Sequence, residues 1–81
     1  MLEEINEPIE VIAKFTGVTA IPVKFLWHGR EIMVKKVNLV YSRFVGRTKF
    51  YYFAVSDNTN YFKLQLNTEN LAWTLLESYA D

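Results

Sequence analysis

Eighty-one residues, 51% hydrophobic and 16% aromatic, make one small domain with enough apolar mass for a core. The chain has no Cys, which excludes disulfides, thiol chemistry and Cys-type zinc, and no apolar run approaches the roughly 18–20 residues of a membrane-spanning helix. The formal charge is zero but polarised: Lys24, Arg30, Lys35, Lys36, Arg43, Arg47 and Lys49 face only Glu31 over positions 24–49, while Lys14 and Lys63 face the other eight acids in the flanks.

Residues 1–8 read as a polar, acidic lead-in ending at Pro8. They lack the basic and apolar regions of a secretory signal, so a cytoplasmic protein is expected. Strand-like alternation then begins, with Ile9, Val11 and Ala13 set against Glu10, Ile12 and Lys14, and Phe15-Thr16-Gly17 forms a turn. Ile21, Val23, Phe25 and Trp27 make an apolar face opposite Pro22, Lys24, Leu26 and His28. Pro22 suits a strand start or edge. His28-Gly29 fits a tight hairpin turn, because Gly supplies the positive φ such turns need.

The stretch from Arg30 to Phe44 is long for one strand. Ile32 and Val34 share a phase, whereas Val37, Leu39 and Tyr41 share the opposite one. A phase slip needs an extra residue, so Lys35-Lys36 is expected to be a bulge or sharp bend. A strand bent at its middle is how a small barrel passes from one sheet to the other.

Val45-Gly46-Arg47-Thr48 is a turn, and Phe50 to Val55 is a strand apolar on both faces. Ser56 to Asn60 is a polar turn cluster. Phe62, Leu64 and Leu66 then alternate with Tyr61, Lys63 and Gln65 as a half-buried strand. Over the C-terminal segment, Leu71, Ala72, Leu75, Leu76 and Tyr79 fit a short helix capped by Thr68 or Asn70. Leu71, Trp73 and Leu75 fit a strand, which is the favoured reading.

The string Ile21-Pro22-Val23-Lys24-Phe25-Leu26-Trp27-His28-Gly29-Arg30, followed by Val34-Lys35-Lys36-Val37, resembles an uncharacterised family of small bacterial proteins, a domain of unknown function with a Pro-Val-Arg/Lys-Phe-x-Trp-x-Gly-Arg motif. Trp73-Thr74-Leu75 and Asp81 match the family's Trp-x-Leu and acidic ending. His28 stands where relatives commonly have Arg, and Tyr41 where they usually have Trp. The resemblance spans roughly residues 8–81 and implies a compact β domain; it carries no activity to transfer. Some members being encoded near translesion DNA polymerases would favour nucleic-acid transactions.

No catalytic signature is present. His28 is the only histidine, without a nucleophile or second ligand at a suggestive spacing, and is expected to be a solvent-facing turn residue. Trp27 reads as core, and Arg30 either pairs with an acid or aromatic across the hairpin or contacts a phosphate or carboxylate. The acids Glu3, Glu4, Glu7 and Glu10 read as a solvated arm.

Arg30, Lys35, Lys36, Arg43, Arg47 and Lys49, with Phe50 and Tyr52, are the candidate anion- or nucleic-acid-binding residues. If Tyr51, Phe53 and Val55 face inward, then Phe50 and Tyr52 are left on the outer face; the opposite phase exposes Tyr51 and Phe53. Cations beside exposed aromatics suit phosphate contacts and base stacking. Equally, lysines guard strand edges, and leftover aromatics can be covered or can form a protein interface.

The expected architecture is therefore a single all-β domain, a small antiparallel barrel or strongly bent meander of five to six strands, SH3-like or OB-like, with the short C-terminal helix as the alternative ending. The expected function is a non-enzymatic binding module for single-stranded nucleic acid, or else a protein-interaction or self-association module forming a homodimer. No cofactor, metal or membrane partner is expected.

Overall fold

Strand alternation dominates the computed structural model, which describes residues 1–17 and 19–80. Seven strands form: β1 (Leu2–Thr16), β2 (Thr19–Trp27), β3 (Arg30–Met33), β4 (Lys36–Val45), β5 (Thr48–Ser56), β6 (Asn60–Asn67) and β7 (Trp73–Ala80). They pair antiparallel in one sheet of order β3-β2-β1-β7-β6-β5-β4, leaving β3 and β4 as edges. The all-β antiparallel expectation holds. The count is seven rather than five to six, the sheet does not close, and among the described residues there is no helix.

Local pairing decides both ends of the chain. Glu3, Glu4 and Glu7 do not form a free arm. Leu2 to Glu4 pair with Tyr79 to Glu77, and Glu7 to Ile9 pair with Leu75 to Trp73, so the lead-in is the first half of β1. The C-terminal segment is the strand favoured above, held between β1 and β6, which supply ladder partners on both sides and outweigh its helical spacing. Leu71, at φ +61°, lies in the turn before β7 and outside the alternation of Trp73 and Leu75. The acidic ending, Asp81, lies outside the described residues.

The sheet curls until its concave face meets itself. Phe25 on β2 and Phe62 on β6 lie three strand positions apart in the sheet order, yet their rings meet edge to face at 5.2 Å. Phe53, Val55, Leu64, Leu66, Leu75 and Ile32 complete the buried cluster, with Trp27, Tyr51 and Trp73 packed against it.

Bulges set which residues reach that core. In the β1–β2 ladder Ile12 pairs with Lys24 and Ala13 with Pro22, so Val23 is the extra residue. The expected face of Ile21, Val23, Phe25 and Trp27 is thereby corrected. Phe25 is buried and Trp27 half-buried, whereas Ile21 and Val23 are exposed and Pro22 is buried. Pro22 tolerates this place because β3 pairs only with Lys24 to Trp27, which leaves β2 a local edge at Pro22.

The bend expected at Lys35-Lys36 occurs one residue earlier. The Val34 N–H donates to the Val23 carbonyl at 2.9 Å, and the Lys35 N–H donates to the Ser56 carbonyl at 2.9 Å. Consecutive residues thus bond to opposite ends of the sheet order, and the chain steps from one edge to the other. The bulge itself is Asn38: Val37 pairs with Val55, and Leu39 with Ala54. Val37 therefore packs on the core, while Leu39 and Tyr41 take the outer face.

The hairpin turns follow local chemistry. His28 and Gly29 have φ of +52° and +75° between the paired Trp27 and Arg30, a turn with both central residues left-handed. Gly46 takes +63° between the paired Val45 and Thr48.

Candidate functional site

The register divides the eight candidate residues among several places. Arg43, Phe50 and Tyr52 share the outer face of β4 and β5, where Arg43 pairs with Phe50 and Tyr41 with Tyr52. Lys49 lies on the other face, its ammonium 5.1 Å from the Tyr51 ring centroid and 6.0 Å from that of Phe44. Arg47 is in the β4–β5 turn, and Lys35 and Lys36 are at the other end of β4. Lys36 and Arg43 are seven positions apart, about 23 Å along a strand at roughly 3.3 Å per residue. Arg30 is exposed on β3, the opposite edge.

The outer face is a closed aromatic stack. Tyr41 and Tyr52 lie parallel, centroids 5.0 Å apart and planes 15° apart. Arg43 sits over Tyr52 at 5.8 Å and Lys63 over Tyr41 at 5.8 Å. Gln65 donates to the Tyr52 hydroxyl at 3.3 Å. Tyr52 is therefore only 7% exposed and offers no free ring for a base to stack on, while Phe50 is half-buried.

Tyr41, Lys63 and Gln65 belong to this cluster and were not singled out as site residues. The signal for them was the cross-strand register Tyr41–Tyr52–Gln65 and Ala54–Lys63, which depends on the Asn38 bulge. The pKa of Lys63 is raised: polar interaction with the Tyr41 side chain favours the charged form, burial opposes it, and the charges of Tyr41 and Glu77 add to it while Arg43 opposes.

A second polar cluster ties the β2–β3 turn to β1. Glu7 Oε1 accepts from Trp27 Nε1 at 2.9 Å and lies 2.9 Å from His28 Nε2. The Trp27 hydrogen bond holds the Glu7 carboxyl below the usual glutamate range. Desolvation works against this, and the His28 hydrogen bond and charge assist it. His28 is an exposed turn residue, as expected, with a carboxylate partner.

The concave side opens at one end. From the Val34–Lys35 step, β4 and the first half of β2 diverge. Between them lies an apolar cavity of about 310 Å³, lined among others by Phe15, Ala20, Val40, Tyr51, Phe53 and Leu66. Thr19, Thr68 and Leu71 complete the lining. Large apolar side chains lining this opening are exposed, among them Phe15 by 66% and Leu71 by 64%, and further along β4 Phe44 is exposed by 68%. Val40 and Phe44 sit on the concave face of β4, yet no strand covers them because the sheet ends there.

Charge is distributed unevenly along the chain segments that supply the two walls. Residues 32–56, which hold β4 and β5, contain Lys35, Lys36, Arg43, Arg47 and Lys49 and no acid. Residues 11–30, which hold β2 and the second half of β1, contain Lys14, Lys24 and Arg30 and no acid. Glu31, between them, pairs with Lys24 at 3.1 Å. Glu69, in the turn beside Thr68, accepts a hydrogen bond from Thr48.

No family model matches the chain, and no curated protein or solved structure matches it either. Among the described residues no helix is long and apolar enough to cross a membrane, and no group of three or more His, Asp or Glu side chains could hold a metal ion.

Proposed function

We propose that this chain is a non-enzymatic binding module and that it meets another protein at the open side of its sheet. The observation that carries this reading is the exposed apolar rim of Phe15, Val40 and Leu71 around a cavity beside the free edge of β4, with Phe44 exposed on the same face of that strand. Contiguous exposed apolar surface favours association, and an unpaired edge strand adds backbone donors and acceptors. The polar outer face is by contrast satisfied by its own stacking and cation–π contacts. The resemblance of Pro22 to Arg30 to a small bacterial family remains part of the proposal and adds no activity to it.

A photo-crosslinking residue at Phe44 tests the reading in cells. Protein adducts absent from a control with the crosslinker at Glu4 would support it. Adducts to nucleic acid alone, or none beyond the control, would refute it.

One observation favours a second reading. The acid-free β4–β5 hairpin suits a polyanion, and single-stranded nucleic acid could bind through phosphate contacts to Arg43, Arg47, Lys35 and Lys36 with little stacking. Anisotropy of a labelled oligonucleotide at about 50 and 200 mM salt distinguishes it. Binding that weakens steeply with salt, and less steeply in Arg43→Ala/Arg47→Ala, supports this reading. No binding at the lower salt removes it.

A further inference from the structure

The protein reading leaves open what kind of segment the opening receives, and the following rests on that reading. The sheet is nearly a barrel. Its two ends meet where Val34 bonds to β2 and Lys35 to β5, and beyond that junction they separate. Each wall of the gap is strand edge. β4 is the last strand of the sheet order. β2 is unpaired on its outer side from Thr19 to Pro22, because β3 reaches only to Lys24.

The apolar cavity lies between these two edges, touching Thr19 and Ala20 on one and Val40 on the other. An apolar void beside two unpaired edges is the space of a missing strand. β4 is ten residues long; Lys36 and the Asn38 bulge guard its first part, but the stretch Leu39-Val40-Tyr41-Ser42 is without Pro, charge or bulge. Those are among the devices that keep strand edges from pairing.

We infer that the gap receives an extended segment of a partner protein, added as a strand along β4, with apolar residues at alternate positions and acidic residues between them. The apolar positions would enter the cavity among Val40, Tyr51, Phe53 and Leu66. Period two then places the intervening side chains on the outside. The charge around the gap selects acids there. Lys14 adjoins Phe15 of the lining in sequence, and Arg43, Arg47 and Lys49 belong to the β4–β5 hairpin that supplies Val40, Tyr51 and Phe53, against Glu69 beside Thr68. The same imbalance disfavours a second copy pairing β4 to β4, since each strand brings Lys36 and Arg43 and no acid.

The test is a titration of the isotopically labelled full chain with a capped octapeptide alternating valine and glutamate, followed by backbone amide shifts. The expected result is saturable shifts confined to Thr19–Ile21 and Val40–Phe44, with affinity falling at least about tenfold between 50 and 200 mM salt for several charge contacts. N-methylation at alternate peptide residues should weaken binding at least tenfold, as should Val40→Glu. Equal binding by the N-methylated peptide would overturn strand addition while leaving the opening as an interface. Stronger binding by a valine–lysine peptide would overturn the acidic assignment alone. Absence of shifts at the opening with every peptide would overturn both this inference and the protein reading. Shifts there with an oligothymidylate but no peptide would hand the surface to nucleic acid.

Discussion

Replacing Phe25 and Phe62 by leucine, singly and together, tests whether the sheet curls onto itself. The two rings meet at 5.2 Å and 80° from strands that are not neighbours, and Phe25 is 1% exposed. Each single change removes aromatic bulk with little residual void, at a cost of about 1–2 kcal/mol including the lost ring contact. Alanine would cost about 3–5 kcal/mol, too much for a domain whose total stability is roughly 4–12 kcal/mol at 0.05–0.15 kcal/mol per residue. The edge-to-face contact itself is worth about 0.5–1.5 kcal/mol. Phe25→Leu/Phe62→Leu should therefore cost less than the sum of the singles by about that amount. Urea unfolding followed by far-ultraviolet circular dichroism gives all four stabilities. Additivity within about 0.3 kcal/mol would mean that β2 and β6 do not pack face to face, and the curled sheet would be wrong.

Further perturbations probe the outer face, a turn and the acid limb. Tyr41→Ala removes the ring that covers Tyr52 and should cost about 1–2 kcal/mol in urea unfolding; an unchanged midpoint would show that the stack holds nothing together. Gly46→Ala meets no atom within 4 Å, so any cost comes from φ +63°. About 1 kcal/mol is expected, and none would place Gly46 outside the left-handed region. The Glu7 carboxyl is depressed in the folded chain. Its stabilising contribution is thus present above the unfolded value of about 4.3 and lost as pH falls through the lower folded value. Thermal unfolding of Glu7→Gln should lose less stability than wild type between about pH 5 and pH 3; parallel curves would refute the assigned partners.

The strands were legible where one face is buried. Phe62, Leu64 and Leu66 alternate cleanly, and β6 lies where they place it. The step of the chain near Lys35 from one sheet edge to the other was legible as a phase slip between Val34 and Val37. The extra residues Val23 and Asn38 were not legible as such. Each is fixed by a partner strand distant in sequence, and one misplaced bulge inverts every face after it. That is why Ile21 seemed inward, and why Tyr41 appeared in phase with Val37. The burial of Tyr52 was hidden for the same reason, since its cover comes from β4 and β6. The acid-rich start concealed a strand because β1 there is half exposed, and its apolar contact is reduced to Ile5 and Ile9. The opening between β2 and β4 is a property of strand lengths, above all the shortness of β3, and no local pattern announces it.

Backbone amide hydrogen exchange along β4 in the isolated chain, at increasing protein concentration, tests most directly whether that edge is free to accept a strand. The account predicts alternation: amides directed at β5 exchange slowly, and those directed away exchange fast at every concentration. Uniform protection along Leu39 to Phe44, or protection that grows with concentration, would mean the edge is already covered and would contradict it.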